Sequence, residues 1–170
     1  MSTKTYQNLI KAFEGESQAR NKYTFFASIA RKEGWLEIAE VFEETARNEK
    51  EHAEVIAKLL KVIGTSKDNL VTAIKGETYE YTDMYPHFEQ VAREEGQKEA
   101  ANYFKLVQQV EEMHAKRFQA LLDSLENNTL LKRETAVVWE CRECGYHAEG
   151  TEPPGVCPLC GHSGTYYKSL

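Results

Sequence analysis

From about Tyr6 to about Leu125 the apolar positions return at helical spacing, and a seven-residue stripe marks the inward side of each of four segments. The stripe reads Leu9, Glu16, Tyr23, Ala30 in the first segment and Phe42, Glu49, Ile56, Ile63 in the second. In the fourth it reads Phe104, Glu111, Phe118, Leu125, with Val107, His114 and Leu121 on the adjacent seam. The third is less regular: Glu77 aligns with Met84 and Val91, Ala73 precedes them, and Glu80 lies one turn on from Glu77. Breaks fall at "EGWLE" near 33, "IGTSKDN" near 63 and "EEGQKE" near 94, where Gly34, Gly64 and Gly96 supply the residue that tolerates positive φ at a helix end. The pattern predicts four helices within residues 1–126. A polar linker follows over 127–136, and then a cysteine-centred module over 137–170. With under about 40 residues and two Gly/Pro-rich stretches, that module has too little apolar surface to fold without a staple.

A shift of 62 residues lays the first two helices on the last two. "ARKEG" at 30 falls on "AREEG" at 92, Ala39 on Ala101, Phe42 on Phe104, Glu49 on Glu111, His52 on His114 and Ala53 on Ala115. Tyr23 falls on Tyr85 and Phe26 on Phe88, but Glu16 falls on Thr78, beside Glu77. The third helix thus carries one extra residue, which a π-bulge absorbs, and Pro86 removes a backbone hydrogen bond nearby. An irregular third helix is predicted, at a place where such irregularity often marks function.

Seven ionisable residues, Glu16, Glu49, His52, Glu77, Glu80, Glu111 and His114, stand where a helical bundle wants Leu. Two unit charges about 4 Å apart interact by roughly 4 kcal/mol at an effective dielectric near 20, against a fold stability of about 5–15 kcal/mol. Five inward carboxylates therefore require cations. In each ExxH the Glu and His share one helix face and can grip one metal together. An inward Glu from each of the other two helices completes the arrangement of di-iron and di-manganese carboxylate bundles.

The 170 residues suffice for one ordinary domain, or for a medium domain plus a small stapled one. A composition 41% hydrophobic and 28% charged, with four prolines, fits a helix-rich globular chain. The net charge of −6, with 21 basic residues scattered among 27 acidic ones, argues against nucleic-acid and anionic-membrane partners. The longest unbroken apolar run, Ala136 to Trp139, is far short of the roughly 20 residues of a membrane-spanning helix. Residues 1–6 carry no apolar core of the kind export requires, so a cytoplasmic location is expected. All four cysteines lie between Cys141 and Cys160, which points to metal rather than disulfides.

"GESQARNKYTFFA", "NEKEHAEV", "GETYEYTDMYPHF" and "VEEMHAKRF", followed by the cysteine module, resemble the rubrerythrins over essentially the whole chain. The resemblance implies a mainly α protein: a ferritin-like four-helix bundle followed by a small rubredoxin-like β domain that binds metal through four cysteines. It implies that Glu16, Glu49, His52, Glu77, Glu80, Glu111 and His114 hold two irons, with Glu49 and Glu111 bridging and Glu16 and Glu77 terminal. Glu80 matches a ligand that simpler ferritin-like sites lack, one that exchanges with the residue at the His52 position as oxidation state changes. Such an exchange has an electrostatic logic, since a carboxylate suits ferric iron and a neutral imidazole ferrous iron. Tyr23 and Tyr85 match tyrosines that hydrogen-bond around the site, although core packing accounts for such residues equally well.

"CRECGY" and "CPLCG" form two CxxC pairs separated by residues 145–156, each pair followed by a glycine. Cys141, Cys144, Cys157 and Cys160 then supply two knuckles of a tetrahedral thiolate site, with Gly145 and Gly161 turning the backbone beneath the sulfurs. The spacing suits zinc and iron alike. A di-iron site that consumes an oxidant must be re-reduced, and iron can pass single electrons where zinc cannot, so iron is expected in the functioning protein, with zinc able to occupy the same thiolates in isolated material. Trp139, Tyr146, Tyr166 and Tyr167 are expected around this centre, and His87, His147 and His162 at the surface, outside both ligand sets.

The function expected is reduction of hydrogen peroxide to water in oxidative-stress defence, with electrons from a reductase or rubredoxin entering through the four-cysteine iron. The resemblance implies a head-to-tail homodimer, in which that iron serves the di-iron site of another chain. Two alternatives are a ferroxidase or iron-storage protein, for which a permanent electron-entry centre has no use, and a binding module with a zinc ribbon and a structural bundle metal.

Overall fold

A computed structural model describes residues 3–170, a mainly helical chain ending in a small sheet. Its contacts divide it into two units, residues up to Thr65 and residues from Ser66 onward.

The first unit is a hairpin of α1 (Lys4–Lys32) and α2 (Leu36–Leu60). Thr3 caps α1, its hydroxyl accepting from the Tyr6 N–H at 3.2 Å. The turn uses Gly34 at φ 85°, with its N–H donating to Arg31 O at 3.1 Å and the Trp35 N–H to Ala30 O at 2.8 Å, a left-handed cap that only glycine adopts without strain. The buried residues are nearly all alanine: Ala27 and Ala30 on α1, and Ala39, Ala46, Ala53 and Ala57 with Leu60 on α2. Side chains this small let two helices approach closely. Helix α2 does not run to Gly64 as the sequence pattern predicts. Lys61 takes the left-handed conformation at φ 57°, and the Val62 N–H donates to Ala57 O at 3.2 Å, so Ile63 lies beyond the helix rather than on its stripe.

The second unit repeats that hairpin and adds the cysteine module. Its first arm is α3 (Ser66–Tyr79), a π-helical segment (Glu80–Met84) and α4 (Tyr85–Glu94); the returning arm is α5 (Lys98–Glu126), against which all three pack. The π-helix falls where the register slip demands one extra residue. Pro86, which has no N–H to donate, lies in the first turn of α4, directly after the π-helical segment. The turn to α5 copies the first one: Gly96 at φ 73° donates to Arg93 O at 3.1 Å, and the Gln97 N–H to Ala92 O at 2.8 Å. Ala92, Ala101 and Ala115 repeat the alanine seam. The copy departs at Glu89 and Gln108, which stand where the first hairpin has Ala27 and Ala46 and are hydrogen-bonded at 3.0 Å.

In the module, β1 (Val137–Cys141) lies between β2 (His147–Gly150) and β3 (Tyr167–Ser169), both antiparallel to it. Trp139 pairs with Ala148 on one side and Ser169 on the other, and Cys141 is opposite Tyr167. Trp139, Cys141, Cys157 and Tyr167 are the buried cluster, so two of its four members are sulfur ligands. Trp139 donates from Nε1 to Gly150 O at 2.9 Å, and the Arg133 guanidinium lies 5.1 Å from its ring centroid. Leu131 packs on the same cluster, so the packed module begins within the segment whose composition reads as a linker. No described helix is long and apolar enough to cross a membrane.

Candidate metal centres

Each hairpin gathers one carboxylate from its first arm and a Glu and His from its second. On the first, donor atoms of Glu16, Glu49 and His52 lie within 4.8 Å of one another; on the second, so do those of Glu77, Glu111 and His114. His52 Nδ1 is 3.0 Å from Glu49 and 3.9 Å from Glu16, and His114 Nδ1 is 2.7 Å from Glu111 and 3.5 Å from Glu77. The i,i+3 spacing on α2 and α5 makes the tighter contact, and the alanine seam brings the carboxylate of the facing arm within reach. Tyr23 stacks on Phe42 at 6.0 Å beside the first triad, and Tyr85 on Phe104 at 6.0 Å beside the second. The 62-residue repeat thus holds in three dimensions.

Electrostatics within each triad call for a cation. The Glu16 carboxyl is raised above the usual carboxylate range, first by the hydrogen bond it shares with Glu49 and then by burial; Glu49 is lowered by that same bond and by His52. Glu77 is raised by burial first, then by its hydrogen bond to Glu111 and that residue's charge. Among the described residues the ion-pair partner of these four acids is the histidine of their own hairpin, not a lysine or arginine. Two hard oxygens and an imidazole suit iron or manganese. Glu80 stands outside both triads, in the π-helical segment, and its negative charge helps to raise both Glu77 and Tyr85. Burial is the larger cause for Tyr85, which keeps its phenol protonated.

The cysteine knuckles are copies of one another at a spacing of 16 residues. Gly145 donates to Cys141 O and Gly161 to Cys157 O, each at 2.9 Å, with φ 73° and 76°. The Cys141 N–H donates to Tyr146 O and the Cys157 N–H to His162 O, each at 2.8 Å. Cys141 Sγ is 3.8 Å from Cys160 Sγ, and Cys144 Sγ is 3.6 Å from Cys157 Sγ. A tetrahedron with metal–sulfur bonds of about 2.3 Å has edges of roughly 3.8 Å, whereas a disulfide needs about 2.05 Å. The four thiols cannot share so small a volume as four thiolates without a cation. At Cys144 the Tyr146 backbone N–H favours the thiolate, but burial and the other three sulfurs push it up to about 12. Cys157, despite burial, falls to about 6 because the Tyr167 hydroxyl and backbone N–H groups stabilise its thiolate.

Three residues of this module differ from the sequence expectation. His162 is no free surface group: its Nδ1 is 3.3 Å from Cys160 Sγ and its ring packs on Tyr166 at 4.5 Å. Its place directly after Cys160 and Gly161 was the available signal. Tyr146 and Tyr166, expected to pack around the sulfurs, are 37% and 43% exposed, whereas Trp139 and Tyr167 are buried with the cysteines. The Tyr167 hydroxyl is buried and makes no hydrogen bond of ordinary geometry among the described residues; the acceptor it favours is the Cys157 sulfur, with which it shares the cluster. An unsatisfied donor beside sulfur fits a permanently ionised, metal-bound thiolate as its acceptor.

Comparison with known proteins follows the same division. The rubrerythrin family model matches residues 7–122, and the model for the rubrerythrin rubredoxin-like domain matches residues 139–168. Rubrerythrin-1 of Clostridium acetobutylicum is 43% identical over 99% of this chain and 95% of its own length. Rubrerythrin of Porphyromonas gingivalis is 42% identical over 99% and 90%. Among solved structures, fully reduced, all-ferrous nigerythrin is 30% identical, covering 100% of this chain and 88% of that one, with a TM-score of 0.38.

Proposed function

The chain belongs to the rubrerythrin family, and on that premise we propose that it reduces hydrogen peroxide to water at a di-iron carboxylate centre, with electrons entering through an iron held by four cysteines. The observation that carries the reading is the presence in one chain of both donor sets, oxygen-rich triads and a four-thiolate cluster. A ferroxidase that stores iron uses the first and has no need of the second.

In this reading Glu16, Glu49, His52, Glu77, Glu80, Glu111 and His114 hold two irons, and Cys141, Cys144, Cys157 and Cys160 hold a third. When bound, the iron pair supplies the two electrons that cleave the O–O bond, which with two protons yields two waters, and the thiolate iron returns them singly. The protein's own part is to keep donors fixed and protons close. The facing helices hold the carboxylates in pairs, and His52 and His114 each orient against the Glu one turn earlier. With iron bound, Glu80 and His52 would be the two residues able to alternate as ligands, since a carboxylate favours the ferric and a neutral imidazole the ferrous ion. Burial and the charges of Glu80, Glu111 and Glu77 keep the Tyr85 phenol neutral, so it retains its proton beside this acidic surrounding. The reading includes a reducing, cytoplasmic setting in which four thiols persist, an electron-donor protein of the rubredoxin or reductase kind, and a head-to-tail homodimer.

The test is to mix anaerobically reduced, iron-loaded protein with one equivalent of hydrogen peroxide or of oxygen and follow both iron centres by absorbance. Peroxide is expected to oxidise the helical centre much the faster, with the thiolate iron following. Faster oxidation by oxygen would overturn the peroxidase reading in favour of a ferroxidase, and zinc in the four-cysteine site of protein isolated from its own cell would remove the electron-entry role.

A further inference from the structure

We propose that the cavity between the end of α5 and the cysteine module is the docking site for an acidic electron-carrier protein, whose carboxylates seat on Arg133 and Arg142 beside the four-cysteine centre. The inference rests on the functional reading, in which electrons enter through that centre. It adds where the donor lands and what surface it must present.

The cavity measures about 460 Å³ and lies wholly within the second unit. Arg133, Arg142 and Lys168 line it, three of the four basic residues that follow Glu126, and none of the five acidic residues of that stretch does. The fourth, Lys132, is paired with Glu152 at 3.2 Å. Lys168 is held 3.3 Å from Glu140, which matches its charge. Arg133 and Arg142 are exposed, and no carboxylate of the described residues stands within ion-pair distance of either. In a chain of net charge −6, two unmatched guanidinium groups in one hollow form a site for carboxylates brought from outside.

Arg133 is a fixed charge. Its backbone N–H donates to Thr151 O at 2.8 Å, its Nη2 to Ser169 Oγ at 2.8 Å and its Nη1 to Lys132 O at 2.6 Å, with the guanidinium over the Trp139 ring. Arg142 stands between Cys141 and Cys144 in the first knuckle, its backbone N–H donating to Tyr166 O at 2.9 Å. Trp139 and Tyr167 also line the cavity, and both share the buried cluster with Cys141 and Cys157. A carrier seated here therefore meets the side chains that pack on the sulfurs.

The second knuckle presents the opposite chemistry. At the 16-residue spacing Arg142 and Glu143 become Pro158 and Leu159, and Val156 and Leu159 are exposed. A centre that takes electrons from one body and passes them to another needs two faces. Steering by charge speeds encounter with a donor that must come and go, whereas exposed apolar surface suits a lasting contact. The charged knuckle is thus the donor's side. One electron crosses per encounter: the carrier loses it, the thiolate iron goes from ferric to ferrous, and no bond or proton moves.

The experiment uses the full-length, iron-loaded protein. The probe is an acidic rubredoxin with zinc in place of its iron and nitrogen-15 in its amides. Zinc passes no electron, so binding is read apart from turnover, from the shift and broadening of the probe's amide resonances. Binding is expected at low ionic strength and is expected to weaken about tenfold or more in high salt. Arg142→Glu should weaken it about tenfold at low salt, Arg142→Gln less, and Arg142→Lys hardly at all. Arg47→Glu makes the same change of net charge at an exposed position of α2 and should stay within about twofold of wild type. The visible absorbance of the thiolate iron checks the module of each variant, and Arg142→Gln carries the test if the glutamate variant loses its iron. Equal losses from Arg142→Glu and Arg47→Glu would overturn the site in favour of a diffuse field. So would a wild type that does not bind at low salt. Binding abolished by Leu159→Ser and untouched by Arg142→Glu would overturn it as well, by putting the donor on the other knuckle. Peroxide is absent throughout, so the docking site and the peroxidase reading fail separately.

Discussion

The helical region and the cysteine module are both built by repeating a metal-binding unit, at 62 residues in one and 16 in the other, yet they relate to the metal in opposite ways. The triads are side chains added to helices whose backbone bonds close within each helix, and His52 and His114 remain 59% and 47% exposed. In the module the ligands are themselves half of the buried cluster. Metal is therefore cargo on one scaffold and part of the scaffold in the other. The two helical copies also diverge: Glu16 and Tyr23 are seven residues apart, Glu77 and Tyr85 eight, and the added residue brings a π-helical segment that carries Glu80.

The largest effect should come from removing metal. Chelation under reducing conditions is expected to abolish hydrogen-exchange protection throughout residues 137–170 while far-UV circular dichroism of the helices changes little; surviving protection in β1 would erase the distinction. Next, Glu80→Ala makes the second hairpin chemically like the first, which has Ala19 three residues after Glu16. Bundle iron should stay at wild-type level while peroxide turnover falls about tenfold or more, and unchanged turnover would remove the ligand-exchange role. A smaller change is expected from Tyr167→Phe. Loss of a donor to the Cys157 thiolate disfavours the more negative, reduced site, so its midpoint potential should drop by on the order of tens of millivolts, with no loss of iron. The smallest concerns the helix surfaces. Arg31 bridges to Glu43 at 2.7 Å, but its repeat counterpart Arg93 faces Lys105 at the equivalent position and pairs instead with Glu89 on its own helix. Lys105→Glu should restore the interhelical bridge and raise the melting temperature by about a degree or two, an increment that high salt removes.

Much of this was legible in the chain, because stripe, repeat and CxxC spacing each carry a physical period. The π-helical segment was readable for the same reason: an insertion in one copy must be absorbed, and the alignment of Glu16 with Thr78 rather than Glu77 locates it. What escaped has no period. The end of α2 depended on one lysine taking a left-handed backbone three residues before the glycine that composition favours. The contact of His162 with Cys160 depends on a side-chain rotation at the second knuckle. Tyr146 and Tyr166 belong to a sheet of short strands, where aromatic content does not say which ring fills the centre and which faces water. The pairing of Arg93 within its own helix follows from Lys105, a difference visible in the sequence only once the helices are known to face each other.

The alanine seam of each hairpin has a consequence for constancy. Side chains of any other apolar kind can change rotamer, and with it the spacing of the helices they separate, whereas alanine has no such angle to turn. The gap between α1 and α2 is therefore a gauge block with a single setting. Ligands carried on either side inherit that fixed separation, so heat or a neighbouring substitution can loosen the tips of Glu16 and His52 without shifting the distance between the backbones that carry them.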